Sequence, residues 1–240
     1  RSAEFAGGLV EISPSRLPSR PLFNLSYSYG ANSQSRGTNV LDHSGGGRDW
    51  LGLSNGGRGL PAGVPDRRVI RGGIFTPEVG VSQVELEELG EALVNEWSPR
   101  TVNGQPYQGF SASLGGRWGD FGLAGGLNHA FKQDYVEESQ VYYSLQAAGL
   151  TPFSTYDYRV GSVTAALSGL VNAGYALNPN NRLSLQLFST DKGKRETRTF
   201  EGFNDDIGRN IRNARLLWQE ESLRSLQLSG DHYFAQASNS

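Results

Sequence analysis

Apolar and polar residues alternate with a period of two along most of the chain. From Leu22 to Tyr29, the residues Phe23, Leu25, Tyr27 and Tyr29 fall on one side, with Asn24, Ser26 and Ser28 on the other. That pattern predicts a strand with one apolar and one polar face. A second strand carries Phe110, Ala112, Leu114, Gly116 and Trp118 against Ser111, Ser113 and Arg117. Gly119-Asp120 is a tight-turn signal, and a third strand follows with Phe121, Leu123, Gly125, Leu127, His129 and Phe131 on one face. The fourth has Val163, Ala165, Leu167, Gly169, Val171, Ala173 and Tyr175 opposite Ser162, Thr164, Ser168 and Asn172. After Asn178-Pro179-Asn180-Asn181, a fifth alternates Leu183, Leu185 and Leu187 with Ser184 and Gln186. A sixth (Ala214, Leu216, Trp218) and a seventh (Leu226, Leu228, Gly230, His232, Phe234) are separated by an expected turn at 221–224.

The expected connections alternate in length. Those at 119–120, 177–182 and 221–224 are short, and those at 30–106, 132–157 and 190–210 are long. Short turns at one end and long loops at the other are the habit of outer-membrane barrels, and a soluble sandwich has no strong reason to keep it. Aromatics gather toward both strand ends: Trp118, Phe121, Tyr175 and Trp218 by the short turns, Tyr29, Phe110, Phe131, Phe188 and Phe234 at the other end. Two aromatic girdles flank the apolar band of a membrane barrel, although aromatics also favour strands generally. The polar faces, rich in Ser, Asn, Gln and Gly, suit a hydrated lumen better than a sandwich core.

One helix interrupts the strands. Ser82-Gln83-Val84-Glu85 has capping-box spacing, and Leu89, Leu93 and Trp97 recur every fourth residue before Pro99. A lid or plug contact and an ordinary amphipathic helix packing a long loop both fit that pattern.

Composition narrows the class. The 240 residues contain no Cys, which removes disulfide scaffolds, Cys-ligated zinc and thiol nucleophiles. No Met is present either, and the opening Arg1-Ser2-Ala3-Glu4 is expected to be an internal start, with the true beginning upstream. The net charge of −2 gives no basic excess to attract nucleic acid. No apolar run is long enough for a transmembrane helix, and the mean hydropathy of −0.45 is compatible with barrel strands, which average to polar.

Candidate chemistry is sparse. Gly52-Leu53-Ser54-Asn55-Gly56 fits the G-x-S-x-G pattern, but it lies in a glycine-rich stretch rather than between a strand and a helix. His43, His129 and His232 share no metal-ligand spacing, and the last two are expected near extracellular strand ends as amphipathic rings. Glu137-Glu138, Asp205-Asp206 and Glu220-Glu221 are carboxylate pairs that would hold a cation or serve as solvated loop charge. Arg67-Arg68 with Arg71 is the densest basic group, suited to an anionic substrate, to lipopolysaccharide or to plain surface charge. We assign no catalytic or metal-binding residue and no cofactor, and we leave the ligand-contacting residues unassigned. An enzyme is the reading that this inventory favours least.

The segment Glu4-Phe5-Ala6-Gly7-Gly8-Leu9-Val10-Glu11-Ile12 resembles the end of the plug domain of TonB-dependent outer-membrane receptors. Two more stretches are similar to blocks found in a large subgroup of these receptors. One runs Arg48-Asp49-Trp50-Leu51-Gly52-Leu53 and on to Gly56, Arg58, Leu60 and Pro61, with Ser54-Asn55 where acidic residues are usual. The other is Glu220-Glu221-Ser222-Leu223-Arg224-Ser225-Leu226-Gln227-Leu228-Ser229-Gly230-Asp231-His232. The resemblance implies an all-β, antiparallel transmembrane β-barrel fragment of about seven strands, with one short helix in a long loop. Residues 1–13 would be the C-terminal end of the plug, and 14–240 the N-terminal part of the barrel. It further implies a bacterial cell outer membrane location and uptake energised by the TonB–ExbB–ExbD complex. The ligand would be a small molecule such as a siderophore, a glycan or a peptide, and lipid and lipopolysaccharide would surround the wall. In this register the chain runs outward first and residue 240 comes to lie near the cell surface. Charge at Leu167 or Leu185 would harm assembly, and charge at Ser168 or Gln186 would be tolerated. The alternatives are a passive porin or a surface adhesin built on a similar barrel, and then a soluble glycan-binding sandwich.

Overall fold

The computed structural model describes residues 20–33, 35–54, 58–72, 80–93, 96–147 and 149–234. The stretch that resembles a plug terminus lies outside them. Eight strands form: β1 (Leu22–Gly30), β2 (Asn39–Asp42), β3 (Arg100–Asn103), β4 (Tyr107–Trp118), β5 (Phe121–Gln146), β6 (Gly149–Asn178), β7 (Asn181–Asn204) and β8 (Arg209–His232). Six of them make one antiparallel sheet in the order β1-β4-β5-β6-β7-β8, and β2 and β3 form a separate ribbon. The chain is therefore all-β and antiparallel. Its main sheet is open, with β1 at one edge and β8 at the other.

Tight turns account for the meander. Gly119-Asp120 joins the paired residues Trp118 and Phe121, with Gly119 at φ 59°, a backbone region open to glycine. Asn178 and Asn181 close the next turn at the same end, where the Asn178 side chain accepts from the Asn180 N–H at 3.0 Å. At the far end the chain reverses after Asn204, through Gly208 at φ 67°.

Three sequence expectations are corrected here. The stretches 132–157 and 190–210 are not long loops. They are the upper halves of β5, β6 and β7, which stay paired to Gln146–Gly149 and Asn204–Arg209. Both faces are polar there, so apolar alternation fades, while Tyr, Val, Thr and Phe still favour extended backbone. Nor is 221–224 a turn. Glu221, Ser222 and Arg224 pair with Lys192, Asp191 and Ser189, so the expected sixth and seventh strands are the single strand β8. With six strands in the meander, β8 ends where β1 began: the Tyr233 N–H donates to the Asn180 carbonyl at 2.9 Å. The described chain thus finishes at the end of the sheet that holds the Gly119-Asp120 turn, the end opposite to the one expected for the C-terminus; residue 240 itself lies outside the described residues.

The register separates two faces. On one, a rung reads Trp118, Phe121, Tyr175 and Leu183, and two rungs up come Leu114, Val171, Leu187 and Leu226 after Gly116, Leu123, Ala173 and Leu185. The band ends at Tyr27, Phe110, His129 and Leu167. Its large side chains are exposed, Phe23 at 72% and Leu187 at 45%. The opposite face carries rungs such as Ala124, Asn172, Gln186 and Gln227, then Asn128, Ser168 and Thr190. Phe188 lies on this polar face, not in an aromatic girdle. Trp218 sits mid-strand opposite Arg195, and Phe234 and His232 lie at the Gly119-Asp120 end.

The helix α1 (Gln83–Glu91) starts as expected, with the Glu85 N–H donating to the Ser82 hydroxyl at 3.1 Å. It is shorter than the pattern suggested, Leu93 and Trp97 lie beyond it, and none of its residues is buried. It packs against no strand among the described residues.

Candidate functional site

Just above the apolar band, the same face changes character. Small residues line it, with Gly161, Val163 and Ala165 on β6 and Gly193 on β7, and the segment 39–54 lies against them. The fit depends on the missing side chains. A Cβ on Gly161 would strike the Leu41 carbonyl, and one on Gly52 would come within 2.5 Å of the Ala165 oxygen. Gly52 also holds φ 80° as it closes the 3-10 turn Asp49–Leu51. We call this layer the pad.

Arg195 clasps the pad to the sheet. Its Nε and Nη2 donate to the two carboxylate oxygens of Asp42 at 2.8 and 3.0 Å, and Nη1 donates to Asp49 Oδ2 at 2.6 Å. Asp49 also accepts a two-pronged contact from Arg58 at 2.8 and 2.5 Å and the Gly46 N–H at 3.0 Å. Arg58 lies 4.0 Å over the ring of Trp218. Arg100 stands 3.7 Å from Asp42. Burial works to raise the Asp49 carboxyl, but hydrogen bonds from Arg58 and Arg195 outweigh it and hold the group below its ordinary value. His43, buried beside the clasp, bonds Thr197 Oγ1 through Nδ1 at 2.7 Å, and burial followed by the charge of Arg195 keeps its pKa low.

The two blocks that resemble receptor sequences meet at this clasp. The Ser54 N–H donates to Glu220 Oε1 at 3.3 Å, and Arg58 covers Trp218 just before the second block begins. The pad also shapes two adjoining clefts of about 270 and 250 Å³. Tyr27, Trp50, Phe110, His129 and Phe131 line the first, and Asp42, Asp49, Arg100, Gln133 and Arg195 the second. Both are smaller than most small-molecule sites.

The other candidates scatter. Ser54 follows a 3-10 turn and lies in irregular chain, so it lacks the strand-to-helix elbow of a hydrolase nucleophile; Gly56 lies outside the described residues. The Thr197–His43 pair is buried on both sides, out of reach of a substrate. His129 takes the Trp50 carbonyl at 2.7 Å, and His232 meets the Asn181 side chain at 2.6 Å, so the three histidines serve three separate places. Glu137 and Glu138 are consecutive strand residues and therefore point to opposite faces. Glu137 stands 3.7 Å from Arg159, and Glu138 accepts from Gln140. Glu220 and Glu221 diverge in the same way, toward Ser54 and Lys192. Asp205-Asp206 occupies the β7–β8 turn. Arg67, Arg68 and Arg71 are exposed, with Arg67 3.9 Å from Glu85. Among the described residues, no three His, Asp or Glu side chains converge as a metal site.

Sequence reasoning missed a second assembly, on the polar face of the upper sheet. Tyr158 and Phe200 are direct cross-strand neighbours with ring centroids 5.1 Å apart and planes at 29°. Tyr156 meets Phe200 edge-on at 5.5 Å, and Tyr142 meets Tyr156 at 5.8 Å. One step below, Arg198 stands opposite Arg215, and below that Glu196 accepts from Lys194 at 2.8 Å. The hydrogen bond from Lys194, against the pull of burial, holds the Glu196 carboxyl below its ordinary value. Arg198 Nε is buried and makes no hydrogen bond. This group was legible only as aromatic content in a supposed loop.

No family model, no curated protein and no solved structure matches this chain.

Proposed function

We propose that this chain forms part of the wall of an outer-membrane β-barrel receptor, one that captures a scarce nutrient and passes it inward with energy from a TonB–ExbB–ExbD complex. The observation that carries the reading is the exposed apolar band. Eight residues of β4 separate Trp118 from Phe110 at its two aromatic margins. That is about 26 Å along the strand, or roughly 20 Å of height at a 40° tilt, close to the apolar band of membrane barrels. A strand needs about 9–11 residues to cross a bilayer. β5, β6, β7 and β8 have 26, 30, 24 and 24, so their upper halves would stand outside the membrane. Water would be a poor solvent for so continuous an apolar surface, since soluble monomers rarely expose patches beyond a few hundred Å². The two open edges fit a wall completed by further strands, because an unpaired edge invites pairing. The polar face would line the lumen, and no chemistry is assigned to it.

Arginine at Val171 or Leu187, in the middle of the band, is expected to cost about 2–4 kcal/mol and to deplete the full-length protein from the outer membrane. The effect is expected to shrink at Leu167 and Leu185, nearer the margins, and to vanish at Gln227 on the polar face. Gln186 is a poorer control than its polarity suggests, being 9% exposed. Equal tolerance at Val171, Leu187 and Gln227 would overturn the membrane reading. Energised import predicts uptake that stops when TonB is deleted from the host. Uptake indifferent to TonB would replace it with a passive pore.

A further inference from the structure

We propose that the polar face of the upper sheet binds an acidic glycan, with a pyranose ring on the Tyr158–Phe200 platform and its carboxylate held by Arg198 and Arg215. This rests on the receptor reading, in which that face opens toward the outer mouth of the lumen, and it names the class of ligand taken there.

Charge is the first argument. Arg198 and Arg215 are paired directly across β7 and β8 on one face. Like charges so placed, with Cβ atoms about 5 Å apart, repel and destabilise a sheet unless an anion lies between them. Glu196 does not fill that role alone. It is shared between Lys194 at 2.8 Å and Arg198 at 3.3 Å, so three cations face one carboxylate. The neighbouring Lys132 and Asp134 pair with each other at 2.9 Å and add no net charge; Glu138, across from Tyr158, is a carboxylate at the far side of the platform from the arginines and accepts from Gln140. Arg198 Nε is enclosed yet makes no hydrogen bond, a donor left over in a structure where buried donors are ordinarily matched. The ligand's contact falls to the outer nitrogens: Arg198 and the exposed Arg215 stand side by side, and two adjacent guanidinium groups are suited to a carboxylate.

The platform is the second argument. Tyr158 and Phe200 are half-buried and fixed by Tyr156, whose hydroxyl accepts from the Asn204 side chain at 2.9 Å. A rigid ring face attracts the electropositive C–H surface of a sugar as it attracts aromatic edges. Spacing joins the two arguments. Phe200 and Arg198 lie two residues apart on one strand face, about 6.6 Å. A carboxylate oxygen on a pyranose centred over the rings reaches about 4 Å from that centre, and a hydrogen bond of about 2.8 Å spans the rest. Asn213, across from Phe200, is the polar side chain open to the remaining hydroxyls; the amides of Gln140 and Asn204 are taken up by Glu138, Tyr142, Tyr156 and the Ile207 N–H.

The test is calorimetric titration of the full-length receptor in detergent with tetragalacturonate, with its carboxyl-reduced neutral counterpart, and with citrate. Tetragalacturonate is expected to bind at least tenfold more tightly than either of the others, and more weakly as salt rises. Arg215→Gln, on an exposed side chain, is expected to weaken it about tenfold while leaving the neutral sugar unchanged. Phe200→Leu is expected to weaken both sugars and not citrate. Equal binding of the acidic and neutral sugars, or wild-type affinity in both Arg215→Gln and Arg198→Gln, would overturn the carboxylate role. Citrate binding as tightly as tetragalacturonate would overturn the platform. The Leu187→Arg assembly assay separates the two readings: if Leu187→Arg is depleted from the membrane while the wild type inserts and ignores acidic sugars, the barrel is retained and this ligand is lost.

Discussion

Replacing Arg195 with methionine should free the pad from the sheet. The guanidinium serves two carboxylates at once, and its side chain is 12% exposed while those of Asp42 and Asp49 are 6% and 5%. Removing one partner of a buried ion pair costs about 3–5 kcal/mol, chiefly because the other charge is left in a poor solvent. The two carboxylates suffer unequally. Asp49 keeps both prongs of Arg58 and the Gly46 N–H, whereas Asp42 keeps, among the described residues, the half-exposed Arg100 at 3.7 Å. The penalty therefore concentrates at Asp42, and the lower end of the range, about 3 kcal/mol, applies.

Hydrogen exchange on the full-length protein reads that quantity directly, since amides that open locally report the local free energy. At 1.36 kcal/mol per factor of ten, amides of 39–53 should exchange about a hundredfold faster in Arg195→Met, with strand amides below Phe131 unchanged. Adding Asp42→Asn should restore much of the protection, because it removes the stranded charge along with its former partner. Arg195→Lys should fall between, as one ammonium cannot meet both oxygens of Asp42 and also reach Asp49. Exchange in 39–53 within twofold of wild type, or no recovery in the double variant, would refute the clasp.

Two further outcomes follow from the same layer. Gly52→Ala should loosen the pad by more than the 1–2 kcal/mol or so that left-handed backbone alone costs an alanine, because its Cβ also meets the Ala165 carbonyl; Gly37→Ala, at φ 72° with open space around it, should show the backbone cost alone in denaturant titrations. Acid should loosen the pad in two windows. His43 has a lowered folded pKa, so its contribution is complete above the free value of 6.5 and declines as pH falls below it, whereas the Asp49 contribution is complete above 3.8 and is lost only as pH falls through its still lower folded value. Limited proteolysis from pH 7.5 to 5 should therefore accelerate in wild type and stay flat in His43→Gln, and equal acceleration in both would refute the role of His43.

The lower half of the sheet was readable because burial asymmetry writes itself into alternation. Phe23 to Tyr29, Phe110 to Trp118 and Val163 to Tyr175 pair in the structure on the faces their sequence assigns. The upper half was not readable in this way. In Lys132 to Gln146 both faces meet polar surroundings, so period two disappears although the backbone remains extended. What survives there is cross-strand chemistry, such as Glu137 beside Arg159 and Ser139 bonded to Asp157. Such pairs are invisible until the register is known. The mistaken break at 221–224 carried a warning in the sequence itself. Ala214, Leu216, Trp218, Leu226 and Leu228 keep one parity throughout, as an uninterrupted strand requires and as two strands joined by a turn do only by coincidence.

The same reasoning applies to the glycine-rich stretch around residue 50, where the sequence argued against a nucleophile but gave no other role. Chain neighbours were enough to set the Gly-x-Ser-x-Gly match aside, but not to say what the glycines are for. In the fold the demands of Gly45 and Gly52 are steric, and they are set from far along the chain, while Gly47 has open space around it. Gly45 leaves room for the Arg195 guanidinium, and Gly52 lies against Ala165 and Gly193. Asp49 finds one arginine 9 residues away and another 146 away. The partners sit on β6, β7 and β8, the strands that also raise Tyr158, Phe200, Arg198 and Arg215 on their other face. Pad and platform thus share one wall above the apolar band. Each residue of β7 from Lys194 to Arg198 serves one layer or the other by strict alternation: Arg195 and Thr197 hold the pad, while Lys194, Glu196 and Arg198, with Phe200 beyond them, build the polar face. Inserting one residue there would exchange the two sets, so it should abolish clasp and platform together while leaving the apolar band below intact.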